Sequence, residues 1–409
     1  MELLNIIAIL ITLSALFSYI NYRYIKLPST IGVMLISLVM SLSLIVIGHL
    51  GLLVKNVTEV HALMNSIDFS DALLKGMLAF LLFAGALHVN INDLFEKKWE
   101  IGILSTLGVA VSTIIIGTAV YLVSPLIGLH LSYIYCLLFG ALISPTDPIA
   151  VMGIIKRSGL SKSLSTKIAG ESLFNDGVGV VVFLVILELI TGGHEVTAAN
   201  VLSLFAKETI GGILVGFALG FIGYRMLKKV DNYNVEILIT LALVLGGYTL
   251  ALSINTSGPL AIVFAGLLIG NYGRKFAMSE KTRTNLDTFW ELVDEILNAV
   301  LFVLIGLEVL IITLTNRSLL AGVLAIPIVV LARFVSVGIP VSLLKFFRQF
   351  SPHVIKILTW GGLRGGISVA LALSIPKGYE RDMIVSMTYA VVVFSVLIQG
   401  LTLKFLIKH

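Results

Sequence analysis

Apolar runs of about 20 residues, separated by short polar segments, recur from one end of this sequence to the other. A helix of that length crosses the hydrocarbon core of a bilayer, where only helices and closed barrels satisfy their backbone hydrogen bonds. Since 58% of the residues are hydrophobic and only 12% are charged, the composition excludes a water-soluble globule of 409 residues. The sequence therefore predicts an all-α polytopic membrane protein.

Hydropathy divides the chain into about thirteen predicted transmembrane helices. Their approximate bounds are 3–20, 29–50, 71–91, 100–124, 131–156, 163–191, 203–228, 234–254, 258–274, 284–312, 318–345, 353–376 and 382–407. The first span has no basic segment before it and no small-residue cleavage site, so we expect a retained helix and not a signal peptide. The one cysteine, Cys136, excludes an intrachain disulfide.

The basic residues predict the orientation of the chain. Of the 28 lysines and arginines, 20 fall on one side, Lys167 among them, and only Lys55, Arg317, Lys377 and Arg381 fall on the other. The remaining four fall within predicted spans. Because cytoplasmic loops are enriched in basic residues, we expect the N-terminus outside and the C-terminus in the cytoplasm. The net charge of +5 is then a topology signal and not a nucleic-acid surface. A short chain without a targeting extension favours the plasma membrane of a prokaryote.

The fifth and twelfth predicted spans are interrupted. In SPTDPIAV, Pro145 and Pro148 remove backbone donors and leave Thr146 and Asp147 between two half-helices. In GGLRGGIS, glycine pairs flank Arg364. Unwound backbone at membrane depth is tolerated only where protein or a water-filled cavity satisfies it. The positions fit two inverted repeats with crossing discontinuous helices, in which Asp147 offsets the N-terminal helix poles and Arg364 the C-terminal ones.

The sixth predicted span carries polar side chains in GESLFNDGVGVVVF. Ser172 and Asp176 are four residues apart and share a helix face, and Glu171 and Asn175 form the neighbouring column. An acid at the bilayer centre costs roughly 2.5–3.5 kcal/mol and indicates a functional site unless a cation pairs with it. Arg333 has no acid in its own predicted helix, and we assign Glu171 to it as a mainly structural partner.

Asp176 is left without an evident cation, so its carboxylate must be met by a proton or by a bound metal cation. If the protein changes the side that the site faces only when one of the two is bound, a cation and a proton are exchanged. Ser172 and Thr146 offer hard oxygens beside Asp176, and Asn175 would brace the site by bonding across to Thr146. Because one acid carries one charge in either state, the predicted exchange is electroneutral, 1:1.

The motifs SPTDPIAV and GESLFNDGVGVVVF resemble those of the sodium/proton antiporters of the cation:proton antiporter superfamily. The branch they resemble has Asn-Asp in the sixth helix and comprises NhaP-type proteins of bacteria and archaea and the animal exchangers. LFVLIGLE, LARF and GGLRGGISVALAL resemble later motifs of the family in the same order. The resemblance implies the NhaA-like antiporter fold, with Na+ as the first choice of cation, Li+ as a further candidate and K+ as the alternative.

The resemblance also implies roles for single residues. Matched position by position, the ion- and proton-binding site falls on Asp176, Asn175, Ser172, Thr146, Asp147 and Glu171. The structural charge pair and the compensation of helix dipoles fall on Glu171, Arg333 and Arg364. In the electrogenic branch an aspartate stands at the position of Asn175, which places this chain on the electroneutral side.

The same resemblance implies a homodimer whose transport domain moves relative to a dimerisation domain. Residues 71–191 and 318–407 would form most of the ion-translocation domain, and residues 1–50 and 203–274 most of the dimerisation domain. Many relatives continue into a cytoplasmic regulatory region, whereas this sequence stops just after the last span. We expect no soluble regulatory domain.

Three other functions would use a similar scaffold. A cation channel needs a continuous pore, which Arg333 and Arg364 disfavour. A symporter of organic anions needs cationic groups at the crossing, where Asp147 and Asp176 stand instead. An intramembrane hydrolase could use those two aspartates, but Asp147 is followed directly by Pro148 and no substrate-binding strand is indicated.

Cofactor chemistry finds no support in the sequence. There is no Walker motif, no dinucleotide fingerprint and no cluster of histidines and acids at metal-ligand spacing, so we predict a transporter without a cofactor and not an enzyme. Glu291, Asp294 and Glu295 share the tenth predicted span. They indicate a solvated helix face or a funnel that attracts cations, and the first is favoured.

Overall fold

Helices account for the regular secondary structure of the described residues. The computed structural model describes residues 3–49, 76–148, 151–152, 162–192, 197–310, 315–345 and 353–407. Its α-helices are α1 (Leu3–Ile20), α2 (Ser29–His49), α3 (Leu78–His88), α4 (Ile91–Glu96), α5 (Lys98–Val123), α6 (Tyr133–Ile143), α7 (Lys162–Thr191), α8 (Ala198–Leu227), α9 (Tyr233–Ser253), α10 (Gly258–Leu268), α11 (Glu280–Glu308), α12 (Asn316–Leu344), α13 (Val354–Trp360), α14 (Gly366–Ser374), α15 (Tyr379–Phe394) and α16 (Gly400–Ile407). A short helix, Arg274–Phe276, stands between α10 and α11. π-helical turns follow α1 at Asn21–Ile25 and α10 at Ile269–Gly273, and a third, Ser395–Gln399, joins α15 to α16.

Eight helical segments of the described residues are long and apolar enough to cross a membrane, and α3 and α6 are shorter apolar helices. The predicted all-α polytopic membrane architecture is confirmed. The count of thirteen spans stays a prediction. Parts of the predicted ranges, residues 50, 71–75, 149–150 and 153–156 among them, lie outside the described residues.

The helices pack in two groups. In the first, α5 contacts α6, α7 and α12, and α15 contacts α12 and α14. In the second, α8 contacts α9 and α10, while α10 also contacts α3. Gly216 and Gly220 allow the close approach of α8 and α10, because a Cβ at either position would meet the backbone of α10. Contacts between α7 and α10 connect the groups.

Both predicted helix interruptions are present. α6 ends at Ile143 with Ser144 as its C-cap, and the extended segment 145–148 follows, as the two prolines require. The helix of the twelfth predicted span breaks between Trp360 and Gly366, where α13 ends and α14 begins. The two extended segments cross and pair as an isolated antiparallel bridge, since the amide of Asp147 donates to the carbonyl of Leu363 at 2.7 Å.

A close contact fixes α7 against the first break. Gly179 faces the ring of Pro145, and a Cβ built at Gly179 would lie 2.9 Å from Pro145 Cδ and closer still to Cγ. The ring is anchored in the extended segment, so it cannot withdraw as a flexible side chain would. The contact holds the polar face of α7 beside Thr146 and Asp147.

We expect Gly179→Ala to lower the thermal stability and the transport rate, because overpacking a tight contact costs roughly 1–3 kcal/mol. The matched control is Gly246→Ala in α9, where a Cβ would meet nothing within 4 Å. That variant should match or exceed the native stability, because alanine is the better helix former. Thermal unfolding of both purified variants measures the difference. Equal unfolding temperatures would contradict the steric constraint.

Candidate ion-binding site

Three polar residues from the broken helix and from α7 form a hydrogen-bonded group. The amide nitrogen of Thr146 donates to Asn175 Oδ1 at 3.2 Å, and Asn175 Nδ2 donates to Thr146 Oγ1 at 2.8 Å. Thr146 Oγ1 lies 3.2 Å from Ser172 Oγ. All three residues are buried. Asn175 thus ties α7 to the extended segment through both of its side-chain polar atoms.

Asp176 lies next to this group and is buried, with 8% of its surface exposed. Within the ranges that the structure describes, no lysine or arginine forms an ion pair with it. Asp147 follows Thr146 in the extended segment. The carboxylate of Asp176 and the hydroxyls of Ser172 and Thr146 are hard oxygen donors, the type that Na+ and Li+ prefer.

Asp147 uses its backbone to join the two crossing segments and its side chain to contact the second one. A Cβ built at Gly365 would lie 2.5 Å from Asp147 Oδ2, so only glycine leaves room for the carboxylate there. Gly365 is the N-cap of α14. A carboxylate at this helix terminus faces the positive pole of the helix dipole.

Arg364 lies near the C-terminal end of α6, which is the negative pole of that helix dipole, and is fully buried. Its Nη1 donates to the carbonyl oxygens of Ser144 at 2.5 Å and Pro145 at 2.9 Å, just after the C-terminal end of α6. Its amide nitrogen donates to Ser395 Oγ at 2.9 Å. Sequence reasoning missed Ser395, because nothing in FSVLIQG marks a π-helical turn that directs this hydroxyl at the crossing.

Glu171 and Arg333 form an ion pair beside the site. Arg333 Nη1 is 2.6 Å from Glu171 Oε1, and both side chains are buried. Arg333 Nε also donates to the carbonyl of Leu358 at 3.4 Å. Gly362 provides the space, since a Cβ there would lie 2.7 Å from Arg333 Nε. The pair links α7, α12 and α13.

A second buried pair was missed by sequence reasoning. Lys167 Nζ in α7 is 3.8 Å from Glu100 Oε1 in α5, and both side chains are buried. Hydropathy groups Lys167 with the loop charges, because it does not show whether a lysine near a helix end is buried. The two pairs connect α7 to α5 and to α12, so the helix that carries Asp176 is fixed on two sides.

The described residues do not form a cluster of metal-ligating side chains. Among the described residues, no group of three or more histidines, cysteines, aspartates or glutamates could hold a metal ion. The candidate site instead combines the carboxyl of Asp176 with the hydroxyls of Ser172 and Thr146. Such a site suits a monovalent cation that is bound and released.

The chain matches one known family along nearly its whole length. The profile described as "Sodium/hydrogen exchanger, transmembrane" matches residues 11–409. The chain belongs to the sodium/hydrogen exchanger family. This membership confirms the resemblance carried by the motifs of the fifth, sixth and later predicted spans.

Relatives in the sodium/hydrogen exchanger family cover nearly the whole chain. The Na+/H+ antiporter NhaP of Pseudomonas aeruginosa is 49% identical over 411 residues, which are 100% of this chain and 97% of the relative. The Na+/H+ antiporter NhaH of Halobacillus dabanensis is 36% identical over 94% of this chain and 93% of its own length.

A solved structure confirms the antiporter fold predicted for this member of the family. The sodium proton antiporter MjNhaP1 from Methanocaldococcus jannaschii at pH 8 superimposes with a TM-score of 0.78. The match covers 100% of this chain and 99% of that one at 21% identity. At this identity the likeness concerns the fold alone.

Proposed function

We propose that this protein is a secondary active antiporter that exchanges a monovalent cation for H+ across the membrane. The proposal rests on Asp176, a buried carboxyl that lacks a basic partner in the described residues. It stands one helical turn after Ser172, whose hydroxyl contacts that of Thr146. The names of the two relatives favour Na+. Li+ is a further candidate, and K+ on the same scaffold is the alternative.

Cation and proton compete for Asp176 in this mechanism. A bound cation neutralises the carboxylate directly, and a proton does so by forming the neutral acid. Asp176 contributes no net charge to the site in either state. Only in these two states does the site turn from one side of the membrane to the other. Ser172 and Thr146 supply oxygens to the cation, while Asn175 fixes the distance between α7 and the extended segment.

The other charged residues hold this arrangement in place. Arg364 and Asp147 compensate the ends of the half-helices, and each contacts the opposite crossing segment. Glu171 and Arg333 neutralise one another, so neither needs the transported ion. These roles leave Asp176 as the exchanging group.

We also propose that the chain forms two domains. Residues 71–191 and 318–407 contribute most of the ion-translocation domain, and residues 1–50 and 203–274 most of the dimerisation domain of a homodimer. The mutual packing of α5, α6, α7, α12, α14 and α15 supports the first unit, and that of α8, α9 and α10 the second. α3 lies in the first range but packs against α10 of the second unit. The uneven distribution of lysine and arginine supports an outer N-terminus and a cytoplasmic C-terminus.

The proposed function is tested on the native protein in proteoliposomes that contain a pH dye. A sodium jump is expected to move protons, which the dye reports as a change in pH. The same jump on a solid-supported membrane should give no net current, because the one titrating acid exchanges one cation for one proton. Lithium and potassium jumps on the same preparation test the choice of cation. Sustained current would contradict the 1:1 stoichiometry, and the absence of proton movement with all three cations would contradict antiport.

A further inference from the structure

Asp294, in the middle of α11, is an acid that the proposed exchange does not use. It is half-buried, whereas its neighbours Glu291 and Glu295 are exposed. Among the described residues, no lysine or arginine forms an ion pair with it. Asp294 is thus less exposed than the two acids beside it and needs a separate explanation.

The face of α11 that carries Asp294 meets the second crossing. Asp294, Asn298 and Leu301 follow each other at helical spacing, so they lie on one face. A side chain at Gly366 would collide with Leu301, which places this face against the start of α14. The preceding residue, Gly365, contacts the Asp147 carboxylate. Asp294 thus lies about two turns of α11 away from the crossing, roughly 10 Å along the helix axis.

Asn298 is the next polar residue on the same face. It is 3% exposed, and its Nδ2 donates to the backbone carbonyl of Asp294 at 2.8 Å, so its side chain points back towards that residue. Its Oδ1 is buried and has no hydrogen-bond partner. A buried amide oxygen without a donor is unfavourable, and a bound cation would satisfy it.

We propose that Asp294 and Asn298 form an accessory site for a monovalent cation on the approach to Asp176. The site offers one carboxylate and one amide oxygen, so the cation keeps part of its water. It lies towards the Glu280 end of α11, on the cytoplasmic side in the proposed orientation. This inference rests on the proposed cation/proton exchange and identifies where the cation binds before it reaches Asp176.

Everted membrane vesicles, which expose the cytoplasmic side, provide the test. Asp294→Asn is expected to raise the half-saturating Na+ concentration about threefold to tenfold, because a carboxylate on the approach raises the local cation concentration. The maximal rate should stay within about twofold of native. Asn298→Ala should raise the half-saturating concentration about twofold to threefold, since it removes an oxygen without changing charge. Asp294→Glu should retain a value close to native.

Glu291→Gln is the matched control, because it removes an exposed acid one turn earlier in α11 and should change the half-saturating concentration less than twofold. Repeating the assay in about 0.5 M choline chloride screens long-range fields. An Asp294→Asn effect that persists supports a site. An effect that disappears, or that Glu291→Gln reproduces, overturns it.

A native half-saturating concentration in both Asp294→Asn and Asn298→Ala would also overturn the accessory site. If Asp294→Asn does not accumulate as folded protein, the test rests on Asn298→Ala, which leaves the charge of the protein unchanged. A native half-saturating Na+ concentration in that variant overturns the accessory site. Native vesicles and Asp176→Asn vesicles are measured alongside. If native vesicles exchange Na+ for H+ and Asp176→Asn vesicles do not, the proposed function stands whatever the result at Asp294.

Discussion

Asp176→Asn is expected to reduce sodium-driven proton movement to the level of empty liposomes. The amide is almost the same size as the carboxyl, but it can neither release a proton nor carry the charge that a bound cation neutralises. Because the described part of the chain brings no basic residue into an ion pair with Asp176, no other charge balance is disturbed. The measurement is the dye-reported pH change after a sodium jump.

The control for this prediction is Asp231→Asn, at an exposed aspartate between α8 and α9. It removes the same charge from the protein and should leave exchange unchanged. Asp176→Asn should also remain as stable as the native protein, since it takes an unpaired charge out of a buried position. A folded Asp176→Asn variant with native exchange would show that another group carries the proton.

Arg333→Leu is expected to cause the largest loss of stability, about 3–5 kcal/mol, because it leaves the carboxylate of Glu171 buried without its partner. Glu171→Leu should be comparably harmful for the converse reason. The pair is well placed for such an effect, as its atoms are 2.6 Å apart and both side chains are almost fully buried. Thermal unfolding in detergent, followed by exchange assays on the protein that survives, measures the loss.

The double variant Glu171→Leu/Arg333→Leu separates the cost of an isolated charge from the value of the pair. Removing both partners leaves no uncompensated charge, so we expect it to be more stable than either single variant. If the double variant is as unstable as the sum of the singles, the two residues act independently. Native stability in both single variants would contradict a structural role for the pair.

The sequence allowed the two helix breaks to be predicted because their causes are local. Pro145 and Pro148 exclude continued helix through their own rings, and the glycines around Arg364 weaken it in the same direct way. The bridge between Asp147 and Leu363 could not be predicted, since it depends on how two segments far apart in the chain are brought together.

In the candidate site too, some features follow from the local sequence and others depend on packing between helices. The shared face of Ser172 and Asp176 follows from helical periodicity alone. The hydroxyl of Ser395 and the burial of Lys167 follow from packing between helices, to which periodicity gives no access. Asp294 illustrates the limit, because three neighbouring acids look alike in sequence and only the contact between Leu301 and Gly366 indicates which one faces the crossing.

The contact between Arg364 and the carbonyls of Ser144 and Pro145 has a consequence for biosynthesis. The donor is 220 residues later in the chain than the first acceptor. At about 5–20 residues per second, the ribosome adds Arg364 roughly ten to forty seconds after it has added Ser144. Throughout that interval the first break must satisfy its carbonyls with water or with the insertion machinery. A nascent chain released before α14 is made therefore carries an unfinished membrane interior, which quality-control proteases can recognise.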